Sequence, residues 1–301
     1  MRLATSVLIA VAGALGFVLW EANKREDFEF GPSGAVFRDD LIEPHRAFLR
    51  ANYPKALAQF DGLLKHQPES ALAEAVVFSL LHKAHLNPEP ADKPKTGGAD
   101  FICKPSREKF AVEVTTMLAA SVQTNTGIPQ EIENDDGGAF NMITFGQARK
   151  VQDKCEQMEK HDYKMPVVVV LCTLHERAQG PFRALAVEFL QTSVPRIVTP
   201  FNLEESARQE TALEDSIFVE IKDGKLTPRC ENISAVLLLH ISESISSAIG
   251  ILHFQPSFPF DVKNLPTVPF NRIVWPVVGG KIKTEWVVGS ARPVDFWHFP
   301  V

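Results

Sequence analysis

Two carboxylates, Asp100 and Glu113, stand at either end of a short segment whose pattern brings them together. Asp100 follows Gly97-Gly98-Ala99 and opens Phe101-Ile102-Cys103, while Glu113 lies inside Phe110-Ala111-Val112-Glu113-Val114-Thr115. Both runs have strand character and a polar stretch joins them, so the segment predicts a β-hairpin. With Ser106 and Arg107 as a two-residue tip, Asp100 falls directly opposite Glu113, their Cβ atoms about 5 Å apart on one face. Two carboxylates so placed repel. A hard divalent cation resolves the conflict, because Mg²⁺ is commonly held by one or two carboxylates plus substrate phosphates.

The elements around the hairpin must complete such a site. Strand alternation puts Glu113 and Thr115 on one face and Phe110, Val112, Val114 and Thr116 on the other. Upstream, Pro68-Glu69-Ser70 opens a predicted helix that runs to about Ala84, with proline in its first turn. Glu74 lies in that helix with Ala71, Val77, Phe78 and Leu81 as its i−3, i+3, i+4 and i+7 neighbours. A carboxylate on an apolar stripe must be neutralised, paired or bound to a cation, unless it reaches water at the stripe's edge. Downstream, a helix over about Met142 to Lys160 has Val151, Cys155 and Met158 as a core-facing stripe, with Lys154 beside it and Gln157 nearby. The ordinary role of such a lysine is to lay its stem on apolar surface and keep its ammonium in water. The chemical role is a cation aimed at an anion near the two acids.

The remaining segments frame these. Leu41 to Lys65 has helix-compatible spacing broken by Pro44 and Pro54, and Asn87-Pro88-Glu89-Pro90 ends the helix that contains Glu74. Gln123 to Gly138 is polar and Gly-rich and reads as a loop. Met165 to Thr173 and Ile233 to His240 are continuous apolar runs, the pattern of strands covered on both faces, with Phe182 to Thr192 a helix and Ser216 to Ile221 another strand. The last forty-odd residues interleave seven prolines with Phe and Trp, compatible with an edge hairpin over Ile273 to Val288 turning at Gly279-Gly280. The expected organisation is an apolar segment and linker over 1–36, a helical extension over 37–67, a core over 68–255 and a Pro/aromatic-rich extension over 256–301 packed on that core.

Taken in order, a helix with Glu74, a hairpin with Asp100 then Glu113-Val114-Thr115, a helix with Lys154 and Gln157, and a buried strand resemble the PD-(D/E)xK phosphodiesterase superfamily, the restriction-endonuclease-like fold. The resemblance covers roughly residues 68–175. It implies an α/β protein with an αβββαβ core, a central mixed sheet flanked by helices. It also implies Mg²⁺ or Mn²⁺ held by Asp100, Glu113 and the Val114 carbonyl, with Glu74 as auxiliary acid, and hydrolysis of a phosphodiester in DNA or a related nucleic acid. Two positions depart from the family pattern. Ala99 stands where the name has proline, and Thr115 stands where the family has its lysine. Thr115 cannot neutralise charge on a phosphate, so Lys154 is the candidate replacement, supported by Gln157. The second reading follows from the same departure: a catalytically degenerate nuclease fold that binds nucleic acid or protein without cutting.

Composition narrows the classes. With 31 Lys and Arg against 37 Asp and Glu, the net charge of −6 argues against a generally basic nucleic-acid binder, but not against an enzyme that meets phosphates through a metal and a local basic rim. Cys103, Cys155, Cys172 and Cys230 form no CxxC pair, which argues against a zinc knuckle or disulfide framework and for free thiols in a reducing compartment. Ala4 to Trp20 is uncharged, with Arg2 before it and a charged stretch after it. It is a candidate membrane anchor of borderline length, with a misassigned start or a buried helix as the other readings. The expected location is therefore cytoplasmic or membrane-anchored, with orientation open.

Overall fold

A computed structural model describes residues 39–91, 98–106, 108–126, 137–175, 178, 186–187, 190–191, 194–197, 209–212, 216–241, 247–277 and 282–290. The uncharged run 4–20, the Gly279-Gly280 turn and most of the helix expected over 182–192 lie outside these residues. No described helix is long and apolar enough to cross a membrane.

Proline marks the starts of two of the first three described helices. Helix α1 is Asp39–Asn52, α2 is Pro54–His66 and α3 is Pro68–Lys83, and Pro54 and Pro68 open theirs. At that position the missing N–H has no helical partner to lose. Pro44 does not break its helix as the sequence suggests, because it sits early in α1 and costs only a hydrogen bond near the helix start. The three helices are joined by a fully buried histidine. His45 stacks on Phe78 at 4.5 Å between centroids, meets Phe60 edge-on at 4.7 Å and lies 5.8 Å from Phe101. Among the described residues, neither of its ring nitrogens has a hydrogen-bond partner.

The sheet has eight strands in the order β1-β2-β3-β4-β9-β10-β11-β12. Strand β1 is Pro88–Pro90, β2 is Phe101–Cys103, β3 is Phe110–Met117 and β4 is Val167–Thr173, and β9 is Ala235–His240. The last three are β10 (Ser247–Leu252), β11 (Phe270–Ile273) and β12 (Thr284–Trp286). Strands β3, β4 and β9 run parallel and the outer pairs are mostly antiparallel, which makes the sheet mixed. Every residue of β4 and of β9 is buried, as their unbroken apolar sequences require of central strands. The parallel step from β3 to β4 needs a crossover, and helices α4 (Ala119–Thr126) and α5 (Gly137–Glu159) supply it.

Two small hairpins stand apart from this sheet. Strands β5 (Val194–Ile197) and β6 (Gln209–Ala212) form one, and β7 (Val219–Lys222) and β8 (Lys225–Pro228) the other. In the latter, Asp223 and Gly224 both have positive φ, the two-residue turn that Asp-Gly favours.

Some boundaries differ from expectation for identifiable reasons. Residues 123–126 belong to α4 and 137–138 to α5, where the sequence reads as a loop. The start of α4 is capped from far away, since the Ala119 N–H donates to Glu69 Oε2 of α3 at 2.8 Å, and no local cap announces the helix. Gly137 and Gly138 have low helix propensity and hide the start of α5. From the Pro/aromatic-rich stretch, β11 pairs with β10 and β12 with β11, so this segment supplies two strands of the main sheet.

Two outcomes follow. Gly250 faces Phe270 across β10 and β11, and a Cβ there would clash with the edge of the Phe270 ring. Gly250→Ala is therefore expected to cost about 1–3 kcal/mol in urea unfolding. Burial lowers the His45 pKa from 6.5 to about 4. The unfolded chain then takes up the proton first, so this stability is present above pH 6.5 and lost as pH falls toward 4, up to about 3 kcal/mol. His45→Leu is expected to flatten that acid limb, measured as the denaturant midpoint from pH 7 to 4.

Candidate active site

Strands β2 and β3 pair Phe101 with Val112, Ile102 with Ala111 and Cys103 with Phe110. One further step of this register sets Asp100 against Glu113, as the sequence predicts. The tip differs: the ladder closes at Cys103 and Phe110, so residues 104–109 make the connection, not Ser106 and Arg107 alone. Lys104 is drawn the other way, its N–H donating to Leu86 O at 2.8 Å and its ammonium pairing with Glu89 at 2.5 Å. Pro105 has no N–H with which to continue the ladder.

The early end of this ladder makes the site. Beyond Val112 no described strand covers this edge of β3. The Ala111 N–H donates to Pro166 O on the β4 side at 2.8 Å, so by alternation the N–H and C=O of Val114 face the uncovered edge. Asp100 fills that gap. The Val114 N–H donates to Asp100 Oδ2 at 2.6 Å, which leaves the Val114 carbonyl directed to the same edge. Asp100 is held from behind by its own backbone, since its carbonyl accepts the Ala91 N–H at 2.8 Å. The Ala99 N–H donates to the Tyr163 hydroxyl at 2.8 Å, and Gly98 has φ of 129°, with room for no Cβ beside that hydroxyl.

A pocket of about 450 Å³ opens at this edge, between α3 and α5. Glu74, Asp100, Glu113, Val114, Thr115, Lys154 and Gln157 all line it, so the structure brings together every residue that the sequence singles out. Glu74 is a half-buried residue on a helix that is otherwise buried along most of its length, and it faces the pocket. Glu113 has a side chain only 4% exposed, and Lys154 one 20% exposed. The Lys154 ammonium turns inward, donating to Glu113 Oε1 at 2.5 Å and to Gln157 Oε1 at 2.9 Å. Thr115 is buried on the same face as Glu113 and contributes a hydroxyl but no charge.

The electrostatics are those of crowded acids. Burial, then the charges of Glu113 and Glu74, push the Asp100 pKa well above the usual carboxylate range, and the Val114 N–H and Lys154 offset this only in part. Asp100, Glu113 and the Val114 carbonyl are hard oxygen donors of the kind that could hold Mg²⁺. Among the described residues, no three His, Cys, Asp or Glu side chains close into one ligand group, and Glu74 acts on Asp100 through its charge.

Three contributors escape sequence reasoning. Lys150 lines the pocket one turn before Lys154, half-buried, and among the described residues no hydrogen bond or ion pair engages it. Burial and the neighbouring Lys154 lower its pKa. The signal for it was the i,i+4 spacing of two lysines, which is unfavourable on a helix without an anion to share. Tyr163 and Glu69 had none, because their partners lie 64 and 50 residues away.

No family model, curated protein or solved structure matches the chain.

Because the folded state raises the Asp100 pKa, it retains a proton that the unfolded chain releases, and the associated stability is lost as pH rises through the folded value. Asp100→Asn keeps an acceptor for the Val114 N–H and removes the charge. In EDTA it is expected to raise Tm by a few degrees at pH 8 and to make little difference at pH 4. Adding Mg²⁺ or Mn²⁺ should raise the wild-type Tm and leave that of the variant nearly unchanged.

Proposed function

We propose that the chain is a Mg²⁺- or Mn²⁺-dependent nuclease of the PD-(D/E)xK type, hydrolysing phosphodiesters in DNA or a related nucleic acid. The observation that carries this reading is the inward Lys154 ammonium, which places a cation beside Glu113 in the same pocket as Asp100. It supplies from α5 the charge that Thr115 lacks. The element order adds support: α3, then β1, β2 and β3, then α5 and β4 follow the αβββαβ pattern of the restriction-endonuclease-like core, with α4 inserted.

The roles follow from chemistry. Asp100, Glu113 and the Val114 carbonyl would hold the metal, with Glu74 as auxiliary acid. Such an ion lowers the pKa of a water nucleophile and offsets charge that builds on the phosphate. Lys154 has three N–H donors and uses two on Glu113 and Gln157, which leaves one for a phosphate oxygen. Lys150 lies one turn away, where it would meet the backbone of a longer substrate. Tyr163 and Gly98 act by positioning Asp100, not by touching substrate.

The test is cleavage of plasmid DNA with Mg²⁺ or Mn²⁺. Asp100→Ala, Glu113→Gln and Lys154→Ala are each expected to lower the rate about 100-fold or more, and Thr115→Val to change it little. Equal cleavage by wild type and Asp100→Ala overturns the proposal. Thr115 favours a second reading, a degenerate site that binds nucleic acid or protein without cutting. It predicts retention of DNA by the wild type with no turnover under either metal.

A further inference from the structure

The pocket has two unlike sides. On the α5 side stand Lys150 and Lys154, four residues and about 6 Å apart along the helix axis. On the other side, α2 and α3 contribute Leu63 and Ser70, with Gln67 between the two helices, and among the described lining residues no cation. Leu118, between β3 and α4, also lines the pocket, a large apolar side chain left 37% exposed.

A duplex and a single strand meet such a pocket differently. A duplex presents charge on two strands, yet the cations here line one side only. The pocket is also small and deep. Its volume of about 450 Å³ lies in the range of sites that enclose one small molecule, about 300–1,000 Å³, which is room for a nucleotide and not for a duplex. Glu113 and Lys154 are recessed, with side chains 4% and 20% exposed, so a phosphate must leave the surface to reach the ammonium. A backbone held in a duplex makes that excursion only by unpairing and unstacking a base, a cost that a free strand does not carry. The unpaired base then needs apolar surface for its faces and polar groups for its edge. Leu63 and Leu118 provide the first, Gln67 and Ser70 the second.

We infer that the pocket takes a single-stranded nucleic acid, with neighbouring phosphates on Lys154 and Lys150 and one unpaired base against Leu63 and Leu118, its edge toward Gln67 and Ser70. This rests on the nuclease reading for the phosphodiester at Lys154 and adds the form of the substrate. An extended strand follows a line of cations with its backbone and leaves its bases free to turn toward the other side. The leucines favour an unpaired base without choosing among the four, because every base has a face to cover.

The test uses the full chain with Ca²⁺ in place of Mg²⁺, an ion that takes the same oxygen donors, and fluorescence anisotropy on labelled strands of about 12 nucleotides. Three probes are compared: a thymidine single strand, the same strand paired with its complement, and an abasic strand with the same number of phosphates. The thymidine strand is expected to bind at least about 10-fold more tightly than either of the others. Lys150→Gln should flatten the dependence of log K on log salt by about 0.7, the share of one phosphate contact on a single strand. Leu118→Ala should narrow the gap between the thymidine and abasic strands, a change that a general loss of structure does not produce. Duplex or abasic strand bound as tightly as the thymidine strand, or an unchanged salt slope in Lys150→Gln, overturns the inference. Cleavage in Mg²⁺ or Mn²⁺ separates it from the nuclease reading. A single strand held but left uncut refutes the nuclease alone, and duplex cut faster than single strand refutes the single-strand site alone.

Discussion

The hydrogen bond from the Val114 N–H to the Asp100 carboxylate is the contact on which the site depends. A strand edge that ends its ladder early must satisfy its next N–H some other way. Here β2 stops at Phe101, and the side chain of the preceding residue takes the place of a backbone carbonyl. The substitution directs an acid into a gap between two helices and leaves the Val114 carbonyl facing the same gap. Gly98 and Tyr163 make the arrangement rigid, because the chain enters Asp100 through a backbone conformation open to glycine and a pinned amide.

Charge balance then decides what the pocket is suited to. Three acids line it, from α3, from the residue before β2 and from β3, and among the described residues its lining cations come from α5. Lys154 neutralises Glu113, but Asp100 remains crowded by burial and by like charge, which favours its protonated form. A site of this kind gains stability from a divalent cation or from protonation at one carboxylate. The helices tolerate this polar centre because their other faces are so thoroughly buried: α3 buries nine residues, and the α5 stripe of Ala148, Val151 and Met158 packs in the core with β4 and β9.

Much of this was legible in the sequence. The register of β2 against β3 followed from a turn centred on Ser106 and Arg107, because the longer connection over 104–109 keeps the same centre and so the same pairing. The central strands announced themselves as unbroken apolar runs, and Pro54 and Pro68 marked helix starts. The misses share a cause. The connection between β2 and β3 lengthened because Lys104 bonds to Leu86, α4 formed under a cap from Glu69, and β11 found its place beside β10 through the fit of Phe270 over Gly250. Each depends on a partner far along the chain.

The turn position together with short periodicities determined that Asp100 would oppose Glu113, that Glu74 would lie on the apolar stripe of a helix, and that Lys154 and Gln157 would share a helix surface. These are consequences of 2.0- and 3.6-residue periods acting over a few residues. Only the tertiary structure decided which way the Lys154 ammonium turns, that Lys150 joins the rim, and that Asn232 bonds Cys155. Those outcomes depend on the separation and rotation of packed elements. No local period encodes them, because they are settled by the volumes of buried side chains between one element and the next.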